Sequence, residues 1–182
     1  MIVTWLPSWL STDLSLISGF LTWIVVLSWL WRSGWKIQRR YFIEATQKPL
    51  TRNAIVWSAG IVGAVFFVAA QMRPGMPGVM TVAMIGALSA YVDARTHRLP
   101  NAYTVAMGIG VVLGVIVGGV ISPLWQERLL GALIGALIWF VPIALLNRLP
   151  GGMGGGDVKL APVLGALVGS VGLHAAFFAL AL

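Results

Sequence analysis

This chain of 182 residues contains no cysteine, and only 9% of its residues are charged. The absence of cysteine excludes disulfides, a thiol nucleophile and any cysteine-ligated zinc or iron–sulfur site. Soluble domains carry about 25% charged residues, so the low charge content excludes an ordinary water-facing surface. Hydrophobic residues make up 59% of the chain, and the mean hydropathy is +0.92. These values predict that the lipid bilayer is the main solvent.

Acidic side chains are especially scarce, with five against twelve Lys and Arg residues. The net charge of +7 could indicate a nucleic-acid partner, but no base-reading motif or basic helix face accompanies it, and we predict none. Two histidines and no cysteine leave few metal ligands, so we predict neither a metal nor another cofactor. The five acids are Asp13, Glu44, Asp93, Glu127 and Asp157.

Six apolar stretches without Asp, Glu, Lys or Arg divide the chain. Each is about long enough to cross a hydrocarbon core of roughly 30 Å at about 1.5 Å per helical residue. We therefore predict an all-α, polytopic membrane protein with about six transmembrane helices, forming a single domain over 1–182. The predicted helices cover 14–31, 54–70, 76–92, 104–121, 129–146 and 160–182.

Basic residues indicate the orientation, because cytoplasmic loops of membrane proteins are enriched in Lys and Arg. Ten of the twelve lie in the loops after the first, third and fifth helices, and only Arg73 and Arg128 lie in the others. We predict that the loops after the first, third and fifth helices face the cytosol and that both termini lie outside. The ten are Arg32, Lys36, Arg39, Arg40, Lys48, Arg52, Arg95, Arg98, Arg148 and Lys159.

Two of the acids, Asp93 and Asp157, flank predicted helices at this cytosolic edge. They can meet if their helices are neighbours. Two carboxyl groups about 3 Å apart cannot both ionise easily, so they share one proton. The ionised carboxylate can take a proton from water while the protonated one donates to a scissile carbonyl oxygen. Such an aspartic protease needs neither a covalent intermediate nor a metal.

Residues 151–156 read Gly-Gly-Met-Gly-Gly-Gly and precede the second of these acids. A helix interior disfavours this composition, at about 1 kcal/mol per Gly. Glycine lets the backbone approach a ligand closely, adopt positive φ or move. We predict a loop that admits an extended substrate strand, and a merely flexible linker is the alternative.

Two short motifs contain the aspartates. Residues 93–101 read Asp-Ala-Arg-Thr-His-Arg-Leu-Pro-Asn, which resembles the Asp-x5-[Ile/Leu]-Pro-Asn signature of prepilin peptidases. Residues 154–160 read Gly-Gly-Gly-Asp-Val-Lys-Leu, which resembles their second signature, Gly-x-Gly-Asp-x-Lys-Leu. The resemblance covers residues 76–182 well, whereas residues 1–75 fit mainly by hydropathy.

The resemblance implies a membrane aspartic protease that removes the basic leader from type IV pilin-like precursors. It implies a location in the plasma membrane of a prokaryote, with cleavage at the cytosolic face. The catalytic role is carried over to Asp93 and Asp157. Lys159 could instead be an interfacial lysine whose stem lies along the bilayer. The residues carried over as substrate-binding are Pro100, Asn101, Gly154, Gly156 and Lys159.

Larger members of this family carry a cytosolic domain with paired Cys-x-x-Cys motifs and also methylate the new N-terminus. This chain has no cysteine, and its first cytosolic loop has only about 22 residues. We therefore expect no methyltransferase activity.

Two other functions compete with the protease. A small ion- or proton-coupled transporter would use membrane-edge carboxylates beside a broken helix to bind cations, although acids near mid-membrane would then be expected. A catalytically silent assembly factor would be expected to lack one of the aspartates. We interpret His174, in the last predicted helix, as a packing residue rather than a functional one.

Overall fold

A computed structural model describes residues 8–70, 75–122, 124–150 and 154–181. All regular elements within these ranges are helical. A short 3-10 helix, Gly34–Lys36, lies between the first two α-helices. The α-helices are α1 (Ser8–Arg32), α2 (Ile37–Glu44), α3 (Arg52–Ala69), α4 (Met76–Thr96), α5 (Asn101–Ile121), α6 (Trp125–Asn147), α7 (Gly155–Gly169) and α8 (Leu173–Ala181).

Five of the described helices, α1, α3, α4, α5 and α6, are long and apolar enough to cross a membrane. They coincide with the first five predicted spans. The prediction of an all-α, polytopic membrane protein is therefore confirmed.

The last predicted span is not one helix, and the prediction of a continuous helix over 160–182 is wrong. The chain forms α7 and α8, separated by a turn at residues 170–172. Gly169 and Gly172 flank this turn, and glycine is a weak helix former. The indole Nε1 of Trp139 donates to the carbonyl oxygen of Ala176 over 2.9 Å, which fixes α8 against α6.

The large buried side chains gather around α4, which packs against α1, α3 and α5. Met80, Met84 and Met107 are fully buried there, and the flexible methionine side chain fills irregular gaps between helices. Tyr103 of α5 is also buried, and its hydroxyl donates to the carbonyl oxygen of Gly34 over 3.1 Å. This bond ties the bundle to the segment after α1.

Small residues replace large ones where α6 meets α7. A Cβ added at Gly135 would overlap the carbonyl oxygen of Gly165, and one added at Gly131 would overlap that of Gly169. These glycines therefore bring the backbones of α6 and α7 into direct contact, and close backbone approach of this kind stabilises helix pairs in lipid.

The segment between α1 and α3 is folded onto the end of the bundle. The amide of Gln38 is fully buried and donates to the carbonyl oxygen of Leu50 over 3.0 Å. The ring of Phe42 stacks on Tyr91 of α4, with 6.4 Å between centroids. The sequence indicated only an orienting charge for this segment, but its residue Tyr41 lines the cavity that also holds Asp93 and Asp157.

Candidate active site

A cavity of about 530 Å³ opens where α4 ends and where α5 and α7 begin. Both Asp93 and Asp157 line it, so the structure brings together the two acids that the sequence singled out. Its walls come from α2, from the turn between α4 and α5, and from the start of α7. The lining residues are Tyr41, Asp93, His97, Arg98, Leu99, Asn101, Gly154, Gly155, Gly156, Asp157 and Lys159.

Asp93 lies in the last turn of α4 and is half-buried. The helix ends at His97, whose φ of 51° is left-handed and whose N–H donates to the carbonyl oxygen of Asp93 over 2.7 Å. The hydroxyl of Thr96 donates to the carbonyl oxygen of Val92 over 2.8 Å. Proline at position 100 disfavours helical backbone at Leu99, which explains why the chain turns directly after the acid.

Asp157 lies in the first turn of α7 and is exposed. The helix begins at Gly155, so the prediction of a glycine loop that continues to residue 156 is wrong. Residues 151–153 of that run lie outside the described residues. Gly154 precedes the helix with φ −66°, so positive φ does not explain this glycine. The N–H of Asp157 donates to the carbonyl oxygen of Gly154 over 3.1 Å.

Gly156 explains why this stretch needs a small residue. A Cβ added there would lie 3.0 Å from the Cβ of Leu99, which belongs to the turn that carries Asp93. A Cβ at Gly155 would meet nothing within 4 Å. The absent side chain at Gly156 therefore allows the start of α7 to approach the α4–α5 turn, and with this approach Asp157 lines the same cavity as Asp93.

The other residues carried over from the motifs have different environments. The Nζ of Lys159 donates to Oδ1 of Asn101 over 2.8 Å, and both side chains line the cavity. This bond joins the two motifs directly. Pro100 is buried and is not among the lining residues, and its carbonyl oxygen accepts from the N–H of Tyr103 over 3.0 Å at the start of α5.

Glu44, at the end of α2, bridges two arginines. Its carboxylate accepts from Nε of Arg40 over 2.7 Å and from Nη1 of Arg98 over 2.5 Å. The hydrogen bond from Arg40 lowers the pKa of Glu44, and the two positive charges act in the same direction. Since Arg98 belongs to the turn after Asp93, this ion pair attaches α2 to that turn.

The remainder of the chain offers little for metal chemistry. Within the described ranges, no group of three or more His, Asp or Glu side chains could hold a metal ion. The absence of a cofactor stays a prediction. His174 is exposed on α8, not packed as expected, and lines a separate cavity with Glu127 and Arg128.

The two motifs lie in a region that is similar to a known protein family. The model of the type IV leader peptidase family matches residues 78–182, which is more than half of the chain and contains both aspartates. This chain belongs to the type IV leader peptidase family. A prepilin leader peptidase/N-methyltransferase of Bacillus subtilis (strain 168) is 34% identical over 128 residues, which cover 66% of this chain and 48% of that protein. The chain thus spans about half the length of that relative. No solved structure matches this chain.

The family match leaves out part of the cavity wall. Tyr41 lines the cavity but precedes the matched residues, and it was missed by sequence analysis. It lies in the basic stretch 36–41, Lys-Ile-Gln-Arg-Arg-Tyr, which carries no motif. His97 and Arg98 also line the cavity, although the sequence suggested only an orienting role for the charge of Arg98. No pattern in the sequence indicated that α2 reaches the aspartates.

Proposed function

We propose that this member of the family is an aspartic endopeptidase that removes the basic leader from type IV pilin-like precursors. The observation that carries the proposal is the shared cavity: Asp93 and Asp157, one from each family motif, line the same opening at one end of the helical bundle. The cavity volume of about 530 Å³ is within the range of sites that hold small ligands or a few peptide residues.

The reaction follows from the chemistry of two adjacent carboxyl groups. The ionised one accepts a proton from water, and the resulting hydroxide attacks the scissile carbonyl carbon. The protonated one donates to the carbonyl oxygen, so the tetrahedral intermediate forms without a separated charge. Transfer of a proton to the leaving nitrogen then breaks the C–N bond.

The helix ends suggest which acid takes which role. Asp157 lies in the first turn of α7, where the helix dipole favours negative charge, and Asp93 lies in the last turn of α4, where it does not. Asp157 is also the more exposed of the two. We assign the base to Asp157 and the acid to Asp93.

The membrane face is supported by the basic residues. Segment 32–52 holds six of the ten Lys and Arg residues assigned to cytosolic loops, and its helix α2 packs at the end of the bundle that carries the cavity. Positive residues favour the cytosolic side. The site would then lie at the cytosolic face of a prokaryotic plasma membrane, where the leader of an inserted precursor lies.

Four residues of the motifs are placed to bind the precursor: Asn101, Gly154, Gly156 and Lys159 all line the cavity. Pro100 instead shapes the turn below them. Methyl transfer is not part of the proposal, although the name of the Bacillus relative includes it. The transporter alternative gains no support, because both acids lie at helix ends rather than at mid-span.

The direct test is co-expression of the chain with a pilin-like precursor, scoring leader removal by gel shift. Asp93→Asn and Asp157→Asn should each lower the cleavage rate by at least about 100-fold, because each removes a proton-transfer group. The residual rate should be lower for Asp157→Asn, since an amide cannot act as a base but can still donate weakly.

The matched control is Asp13→Asn, the same change at an exposed acid of α1, which should leave the rate unchanged. Membrane insertion and thermal stability should be equal in all variants. Near-native turnover in either the Asp93 or the Asp157 variant would show that the pair is wrongly assigned.

A further inference from the structure

We propose that α2 forms a wall of the substrate site and that Tyr41 contacts the precursor as a substrate-binding residue. This inference rests on the proposed peptidase function and extends the site beyond the residues of the two motifs. It assigns a role to a segment that sequence analysis treated only as an orienting loop.

The first observation is the position of Tyr41 in the cavity. Its side chain lines the same opening as Asp93 and Asp157, and it is half-buried. Of the eleven described lining residues, Tyr41 carries the sole benzene ring, whereas most of the others are charged or are glycine. A tyrosine offers an apolar face and a hydroxyl that can donate or accept, both of which suit an extended peptide.

The second observation is that α2 is held in place on both sides of Tyr41. Before it, Gln38 bonds with the backbone of Leu50 in both directions, at 3.0 and 3.3 Å. Directly after it, the Phe42 ring is buried and stacks on Tyr91. Tyr41 is therefore carried on a fixed element rather than on a free loop.

The third observation is a pair of links that join the end of α2 and the residues just after it to residues that follow the first catalytic acid. Glu44 pairs with Arg98, and the amide of Gln47 donates to the carbonyl oxygen of Arg95 over 2.8 Å. Positive charges alone are enough to orient a membrane protein, so an orienting role does not explain these contacts. The two links instead hold α2, and with it Tyr41, at a set distance from Asp93.

These contacts define what Tyr41 can do. It is not placed to take part in proton transfer, which the two carboxyl groups complete without it. Its hydroxyl can bond with a backbone amide of the precursor, and its ring can cover a side chain next to the cleavage site. Removing either contact should weaken binding of the precursor and leave the chemical step intact.

The test is steady-state cleavage of a precursor by the full chain in detergent or vesicles. Tyr41→Phe should raise KM by about three- to ten-fold, the effect of one lost hydrogen bond, with kcat changed less than about two-fold. Tyr41→Ala should raise KM further. Tyr91→Phe is the matched control: it removes a hydroxyl from a neighbouring tyrosine outside the cavity and should leave KM unchanged.

Melting temperatures separate a binding role from a structural one. The proposal expects the Tyr41→Phe protein to melt with the wild type while its KM is raised. Wild-type KM in both Tyr41 variants would overturn the inference and leave the peptidase function standing. A rise in KM together with a lower kcat and a lower melting temperature would do the same, because it would show a structural role for Tyr41. Failure of the wild-type chain to cleave any precursor would overturn both the proposed function and this role of Tyr41.

Discussion

Helices α4 and α6 both span the bundle, but they are held by different contacts. In the most apolar stretch of α4, 56% of the residues are buried, compared with 17% in α6. The buried residues of α4 include large ones such as Met80 and Ile85, whereas those of α6 are Gly131, Ala132 and Gly135. One helix is fixed by interlocking side chains and the other by backbone contact with α7.

This difference matters because each kind of contact positions one of the two acids that line the cavity. Asp93 lies on α4, the helix around which the large side chains pack. Asp157 lies on α7, which is held against α6 by glycines. Lipid tails are as apolar as leucine side chains, so helix association in a membrane depends on close packing. Flexible methionines can absorb a change of shape, but a backbone carbonyl cannot rotate away. The part of the bundle formed by α6 and α7 (the Asp157 half) should therefore be more sensitive to a single added methyl group than the part around α4 (the Asp93 half).

The largest loss of stability is expected from Gly165→Ala. Alanine is favoured over glycine in a helix by about 1 kcal/mol, but its Cβ would overlap the carbonyl oxygen of Gly135, so α6 and α7 must separate. Overpacking costs typically about 1–3 kcal/mol, and each kcal/mol lowers the melting temperature by roughly 2–4 °C at this chain length. Both the melting temperature and the cleavage rate should fall, because α7 carries Asp157.

Two variants sharpen this comparison. Gly60→Ala makes the same change inside α3, where the new Cβ lies 3.8 Å from Cδ2 of Leu27 in ordinary contact, and should keep or raise the melting temperature. Met80→Leu changes the shape of the α4 core at similar volume and should cost less than about 1.5 kcal/mol. If Gly165→Ala melted as high as Gly60→Ala, the backbone contact between α6 and α7 would not govern stability.

A smaller loss of stability is expected from a change where the two halves meet, at Gly156 and Leu99, because the change is confined to the cavity. Gly156→Val adds a branched side chain at a position where even a Cβ lies 3.0 Å from Leu99, so it should push Asp157 away from Asp93. Misplacement by about 1 Å can lower a rate by roughly 100-fold, and turnover should fall far more than the melting temperature. Gly155→Ala, where nothing lies within 4 Å, is the control and should keep its activity. Equal turnover in the two variants would show that the close approach of Gly156 to Leu99 does not set the position of Asp157.

The two halves also differ in how far the sequence predicts them. The paired motifs predict a meeting of Asp93 and Asp157, because the end of one membrane helix and the start of another that runs in the opposite direction lie at the same membrane face. Hydropathy predicts the five long helices, since their length is set by the bilayer. The start of α7 at Gly155 was not predictable from helix propensity, because glycine is a weak helix former and the close approach of Gly156 to Leu99 is visible only in the folded structure.

The role of α2 was hidden for another reason. Its contacts with the bundle depend on side chains distant in sequence, such as Phe42 with Tyr91, and no periodic pattern records such pairs. The turn at residues 170–172 was equally hidden, because hydropathy continues across it unchanged. In both places tertiary contact decides the structure, and composition alone does not.

The smallest effect is expected from Glu44→Gln, which tests the attachment of α2 to the Asp93 half. The hydrogen bond from Arg40 lowers the pKa of Glu44 below its ordinary value of 4.5. A group whose pKa is depressed on folding stabilises the fold above its unfolded pKa, and this stabilisation is lost as the pH falls through the folded value. The wild type should therefore melt slightly above Glu44→Gln at pH 7, and the difference should shrink as the pH falls below 4.5 and vanish below the folded pKa. The difference should be small, because both partners of Glu44 are exposed and salt screens exposed pairs. Arg40→Gln is the control, since it removes the partner within α2 and keeps the pair with Arg98. A gap between wild type and Glu44→Gln that does not shrink as the pH falls below 4.5 would assign the effect to packing rather than to charge.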